Sequence, residues 1–526
     1  MKRALTITLC LGLGAVLTGC GTGSSRSDGP KEPVADATIA YAIGSDPGNL
    51  DPQLTSVDLN RDLGRLAYDS LVYRDENGDP VSGLASSWKV GARTSTFQIT
   101  PGVTCSDGSK FTADVAAQNL KFIIDPKNGS PYASSFPSGS TVSASGSTVT
   151  LTTPSVPAFL LVNLADIPMV CEKGLKKRKG LASATAGTGP YVLTDAKTGS
   201  SLTYQRRDGY TWGPGGATTA EKGQPKTLEL RIVADKTTAA NLLVAGEVNI
   251  TIASGPDGGR LLKMPNLFHA KQQVLQGLIA YNEASGRPTR DQRVREALTR
   301  SLDLGAALKI TTGGHGEVPT SLLAVEPKVC PGNTVAGNLP TQDVAAAKSL
   351  LDQAGWVPGS DGVRTRNGRP LTLDILTPNF ASSGYTDGAA FLASQWRELG
   401  IKVTVSAVTA AQLNDRMFRT ADFDVSLVGT GERTPNQNSQ YFSGEAPPKG
   451  TNFASFRNPA YDKAVNSEPL ADPEADCARW NAGEVALLKE FSLIPYANLN
   501  VPVMGNGVEF KIVGNYIVPT SLRAVS

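Results

Sequence analysis

Few side chains in this 526-residue chain could make or break a covalent bond. His269 and His315 are the two histidines, so a histidine metal cluster is excluded and a Ser/His/Asp triad would have to use one of them. No G-x-S-x-G elbow, H-E-x-x-H, C-x-x-C, Walker loop or G-x-G-x-x-G is present. His315 lies in the glycine-rich stretch "TTGGHGEVPT" and reads as a solvated loop residue. His269 follows "NLF" and reads as a surface or strand residue. No carboxylate pair stands at a telling spacing. The expectation is therefore a protein that is not an enzyme, with no catalytic residues, no metal and no cofactor.

The cysteines say more. "ALTITLCLGLGAVLTGC" follows Lys2 and Arg3, the order of a secretory signal, and its apolar run is too short to span a bilayer. Leu17-Thr18-Gly19-Cys20 resembles the lipobox of bacterial lipoproteins, which implies cleavage before Cys20, acylation of that residue and anchorage at the cell membrane. Residues 1–19 would be the signal peptide and 20–36 a flexible tether rich in Gly and Ser. Cys10 leaves with the signal. Cys105, Cys171, Cys330 and Cys477 remain, an even number in an exported chain, with three pairings open.

Lys2 and Arg3 account for the whole formal excess of +2, so nothing calls for a polyanion and no nucleic acid partner is expected. The run "KKRK" at 176–179 reads as a solvated loop. Roughly 500 residues would remain after cleavage, more than one core serves, so several lobes are expected.

Periodicity supplies elements to position whatever site exists. Ile39, Tyr41 and Ile43 alternate as a strand, broken by "GSDPGNLDP". Leu59, Leu63, Leu66, Ala67 and Leu71 form a helical stripe through "DLNRDLGRLAYDSLVY". Thr112 caps a helix carrying Ala116, Leu120 and Ile123, and "GSTVSASGSTVTLTTP" reads as a hairpin. "TLELRIVAD", "KTTAANLLVAGEVNITI", "LTLDIL", "GAAFLASQWREL", "IKVTVSAV" and "FDVSLVG" alternate strand and helix. The fold class is α/β.

The segments "GSDPGNLDPQ", "AYDSLVYRDENGDPVSGLASSW", "FQITPGVTCSDGSKFTADVAAQNLKF", "GTGPYVL", "DQRVREALTRSLD", "AKSLLDQAGW", "QWRELGIKV" and "FDVSLVG", in that order, resemble the extracellular solute-binding proteins, family 5, of ABC importers, the oligopeptide, dipeptide and nickel-binding type. The resemblance covers nearly all of the chain after Cys20. It implies a periplasmic-binding-protein-like fold of the cluster C type, two main lobes closing on a cleft plus an inserted lobe. Lobe I would comprise 37–75, 185–276 and 501–526, lobe II 76–184, and lobe III 277–500. Cys105–Cys171 would then staple lobe II and Cys330–Cys477 lobe III.

By the same resemblance a peptide or other small solute is captured and passed to permease and ATPase subunits, with a monomer tethered on the outer face or in the periplasm. Competing readings are a secreted hydrolase with a carboxylate site and a transport-inactive sensor or chaperone. The ligand set implied is Thr55, Ser56, Val57 and Asp58 in lobe I, with Tyr281, Asn282, Thr430, Glu432 and Arg433 in lobe III. Peptide-binding members carry an aspartate where Arg433 aligns, with Glu432 just before it. A guanidinium there would repel an ammonium and welcome a carboxylate or phosphate.

Overall fold

Alternation at Ile39, Tyr41 and Ile43 produces a strand because successive side chains leave a pleated backbone on opposite faces. The computed structural model describes residues 32–55, 57–380, 382–470 and 472–526. The expected signal and Cys20 fall within residues 1–31, outside the described residues.

One eleven-stranded sheet carries the architecture. Its main path uses Thr38–Ile43 (β1), Tyr191–Lys197 (β2), Ser201–Arg206 (β3), Thr227–Ile232 (β4), Ile250–Ile252 (β5), Phe268–Tyr281 (β6), Thr372–Pro378 (β7), Lys402–Val408 (β8), Val425–Thr430 (β9) and Leu493–Gly505 (β10). The spatial order is β8-β7-β9-β6-β10-β5-β1-β4-β3-β2. The expected strand–helix–strand unit is β4, Lys236–Ala245 and β5, and β1 threads between its two strands, parallel to both.

β6 and β10, 14 and 13 residues long, pair antiparallel from Phe268 opposite Gly505 to Ala280 opposite Leu493. The far end of β10 pairs with β5, and the far end of β6 pairs with β9. These two strands therefore join an N-terminal wing, β1–β5, to a C-terminal wing, β7–β9. Midway their register slips on either side of Gly277, where a bulge bends the ribbon. A Cβ on Gly277 would lie 2.6 Å from the Ala497 Cβ and 2.8 Å from the Tyr496 ring, so the bend admits only glycine there.

In the N-terminal wing Ile39, Ile43, Leu230 and Ile250 pack against Leu63, Leu66 and Ala67 of Asp58–Ala67 (α1). α1 ends earlier than its stripe suggests. Tyr68 turns extended, and Leu71 packs beyond the helix in a different core. The glycines of "GTGPY" explain the stop. Gly189 donates its N–H to the Ala67 carbonyl at 3.0 Å, and a Cβ on Gly187 or Gly189 would collide with that backbone.

A separate four-stranded antiparallel sheet, built from Ala85–Lys89, Thr94–Ile99, Thr148–Thr152 and Thr141–Ser145, carries Ala113–Ile124 (α2) on one face. The last two strands are the expected hairpin, and Thr112 Oγ1 accepts the Val115 N–H as the expected cap. In the C-terminal wing Ser383–Arg397 (α3) buries Trp396 on β7 and β9, and its indole N–H donates to the Leu298 carbonyl at 3.0 Å.

Both expected disulfides are present, Cys105–Cys171 and Cys330–Cys477, with Cα separations of 6.1 and 5.1 Å. The "KKRK" run is only partly solvated. Lys177 and Lys179 are exposed, but Arg178 turns inward, donating to Asp51 at 2.8 Å and Gln53 at 3.1 Å and lying 3.5 Å from the Phe122 ring centroid. A charge run carries no phase information by which one inward member could be told apart.

Candidate functional site

The seam between the wings is charged because of how α1 is phased. Its apolar residues Leu63 and Leu66 face the core, which places Asp58, Arg61 and Arg65, three and four residues apart, on the opposite face. From the other wing comes the loop after β9, which leads into Pro435–Phe442 (α4). Gln437 Oε1 accepts the backbone N–H groups of Arg433 and Thr434 at 3.0 and 3.1 Å, fixing the loop that aims Arg433.

Arg433 is buried, 7% exposed, and reaches parts of the chain far apart in sequence. Its Nε donates to the Gly514 carbonyl at 3.3 Å and lies 3.7 Å from Asp166 Oδ2. Asp166 belongs to the small-sheet body and accepts from Arg65 at 2.7 Å. The Arg65 and Arg433 guanidinia lie 4.2 and 4.5 Å from the centroid of one ring, Tyr516, a cation–π arrangement. Arg61 lies 5.4 Å from the Tyr132 ring centroid. The Arg61 Nε and the Tyr516 hydroxyl are buried with no hydrogen-bond partner among the described residues.

Electrostatics mark the same place. Burial pushes the Glu432 carboxyl above its usual range, with Arg61 and Arg433 pulling it back and Asp58 adding to the rise. Burial opposes the charge on Arg433, but Asp166, Tyr516 and Asp58 offset it and the guanidinium is held above its ordinary value. A cavity of about 550 Å³ opens beside this cluster, lined by Arg65, Arg74, Asp166, Arg433 and Tyr516 among others. A second cavity, of about 440 Å³, lies where the wings meet beyond the end of β1. Its wall includes Gly44, Leu59, Val274, Gln276, Ser382 and Tyr385, and is mainly apolar. A Cβ on Gly429 would lie 2.2 Å from the Tyr385 hydroxyl, so glycine at the end of β9 makes room for that ring.

A neighbouring carboxylate is built differently. Asp69 is 1% exposed and accepts from Tyr73 at 2.7 Å, Tyr210 at 2.7 Å, Thr188 at 2.8 Å and the Trp212 indole at 3.1 Å. Burial pushes its pKa up while the four donors hold it down.

Of the residues expected at the site, Thr55, Val57 and Asp58 lie at the entry to α1, and Thr430, Glu432 and Arg433 lie in the facing loop. Ser56 lies outside the described residues. Tyr281 and Asn282 do not reach the cleft. Tyr281 is wholly buried in the C-terminal wing, its hydroxyl 3.2 Å from Thr299 Oγ1. The Asn282 amide donates to the Ala421 and Phe423 carbonyls at 3.0 and 2.8 Å, and its oxygen accepts from the Ala284 N–H. The "LIAYN" segment runs from the bulge at Gly277 into the core, so its last residues are scaffold. Arg61, Arg65, Tyr132, Asp166 and Tyr516 were missed. The spacing 58, 61, 65 opposite a leucine stripe could have disclosed the arginines, whereas nothing local singles out Asp166 or Tyr516. Among the described residues no group of three or more His, Cys, Asp or Glu is placed to hold a metal ion.

Known proteins share this architecture. The family profile "Bacterial extracellular solute-binding proteins, family 5 Middle" matches residues 79–450, and the chain belongs to that family. Protein XP55 of Streptomyces lividans is 26% identical over 504 residues, covering 93% of this chain and 88% of that protein. Oligopeptide-binding protein AppA of Bacillus subtilis is 24% identical over 507 residues, covering 88% of each. Among solved structures, a substrate-binding protein from Microbacterium hydrocarbonoxydans, complexed with 4-hydroxybenzoate hydrazide, superposes with a TM-score of 0.70 at 25% identity, covering 93% of this chain and all of that one. The fold is that of the periplasmic-binding-protein-like family 5 structures. No helix among the described residues is long and apolar enough to cross a membrane.

Proposed function

We propose that this chain is the lipid-anchored, extracytoplasmic receptor of an ABC importer. It captures a peptide or another small solute by closing its wings and passes it unchanged to a membrane permease. The observation that carries the reading is Arg433. A residue of the C-terminal wing, it touches Asp166 of the small-sheet body and Tyr516 of the C-terminal segment across a seam bridged by two long strands with a bulge. Such a pair of strands absorbs the dihedral change of hinge closure. A solute that makes better contacts in the closed form shifts the population toward it.

Lobe I then corresponds to 37–75, 185–276 and 501–526, lobe II to 76–184 and lobe III to 277–500. The contact set is Thr55, Ser56, Val57, Asp58, Thr430, Glu432 and Arg433, joined by Arg61, Arg65 and Tyr516. Tyr281 and Asn282 are removed from it. Cys20 carries the lipid and keeps a monomeric receptor near its permease, which raises the effective concentration there. Family membership and relatives named for oligopeptides support a peptide or similar solute.

Mass spectrometry of whatever is released on denaturing the purified protein identifies the solute. Small-angle scattering on the emptied and refilled protein then reads closure as a fall in radius of gyration. An unchanged radius, or turnover of the solute, defeats the reading. Substituting Cys20→Ser is expected to move the protein from the membrane fraction to the medium or periplasm.

A further inference from the structure

We infer that the solute presents an oxyanion, a carboxylate or phosphate, to this seam, docking between Arg61 of α1 and Arg433 of the facing loop. The inference rests on the receptor reading and narrows its substrate class. Three guanidinia converge here, Arg61, Arg65 and Arg433, and their partners are unequal to them. Asp166 makes its short ion pair with Arg65 at 2.7 Å; its other oxygen is 3.7 Å from Arg433 Nε, beyond hydrogen-bond range. Arg61 has Asp58 at 4.0 Å, a carboxylate whose side chain is 81% exposed and strongly screened. Its Nε is buried and unpartnered among the described residues.

Glu432 is the remaining acidic group facing both arginines, and burial disfavours its charged form. The side chain of Arg433 is 8% exposed and lines the 550 Å³ cavity, while no hydrogen bond to its terminal nitrogens is formed among the described residues. Arg61 and Arg433 also repel each other. A planar oxyanion between them relieves that repulsion and satisfies forked donors in the geometry guanidinium groups favour. A ligand ammonium placed there meets two cations, and the carboxylates within reach, Asp166 and Asp58, already face arginines.

The test uses one dipeptide mixture in two forms, N-acetylated with a free carboxylate and C-amidated with a free ammonium, and inorganic phosphate as a third probe. Binding to the whole protein without its signal peptide is read by calorimetry and thermal shift. Arg433→Gln and Arg61→Gln run in parallel, with circular dichroism confirming that each folds. The N-acetylated set or phosphate is expected to bind in preference to the amidated set, and which of the two binds tells the class of oxyanion. Either substitution is expected to weaken that binding about tenfold or more, as for a lost charge-assisted hydrogen bond. Absence of any preference for the anionic probes overturns the inference, and so does a preference that survives both substitutions. Scattering that shows closure on a cationic or neutral solute would end this inference while leaving the receptor reading intact.

Discussion

Asp69 and Asp166 lie close in the fold and do opposite things. Asp69 is enclosed by four neutral donors from Tyr73, Thr188, Tyr210 and Trp212, so nothing is left over for a ligand. Asp166 is 20% exposed at its side chain and stands between two guanidinia, with one short contact and one long. A polar group whose capacity is saturated by the scaffold fixes the fold. One whose neighbours remain under-used leaves chemistry for a guest. The first knot ties the small-sheet body to the N-terminal wing, while the second lies where three parts of the chain meet.

The largest expected effect comes from breaking the saturated knot. Asp69→Ala strands four donors at about 1–3 kcal/mol each, partly offset by relief of a buried charge, and is expected to cost about 5 kcal/mol in urea unfolding. A cost below about 1 kcal/mol would erase the contrast with Asp166. Next is Cys105→Ser with Cys171→Ser. This disulfide closes a 66-residue separation, worth about 4 kcal/mol in the chain-entropy model. Asp166 lies five residues before Cys171 and Asp69 outside the loop, so solute affinity is expected to fall with stability.

Glu484 offers an intermediate case. It accepts from the Leu322 N–H at 2.7 Å and from the Thr334 hydroxyl, and burial pushes its pKa from 4.5 to about 7. The folded state binds this proton more tightly than the unfolded one. Its contribution to stability is therefore full at low pH and declines as pH rises from 4.5 through about 7, by about 3 kcal/mol in all. Thermal melts of Glu484→Gln should lose that part of the decline, and an unchanged pH profile would show that the carboxylate is not held as described. The smallest change is expected for Asp166→Asn, about 1 kcal/mol because both Asp166 and Arg65 are part-exposed. Its signature is functional: with one negative charge gone, the seam is expected to bind an oxyanion more tightly. Weaker binding would place Asp166 among the solute's own partners.

Much of the fold was readable from local pattern. Alternation in "TIAYAI", "TLELRI" and "FDVSLVG" is a property of a few neighbouring residues, and so are the stops at Gly246, Gly355 and Gly400, where the backbone takes a positive φ. The disulfide pairing followed once lobes were assigned. The candidate site was legible in part: the α1 entry and the Glu432–Arg433 loop were named, whereas Tyr281 and Asn282 lie in the core, because the 14-residue strand borders a cavity only midway, at Val274 and Gln276.

By itself the sequence determined the α/β class, most of the elements and several of their caps, the even set of cysteines and the family, because periodicity, capping and motif order are local or ordered along the chain. Tertiary structure alone decided that Asp166 meets Arg65 and Arg433, that Tyr516 lies under both guanidinia, that Arg178 turns inward, and that Asp69 is saturated while Asp166 is not. Apart from Tyr73 beside Asp69, those contacts join residues dozens to hundreds of positions apart. Charge balance within a few ångströms depends on which side chains the folded chain brings together, and spacing along the chain does not encode it.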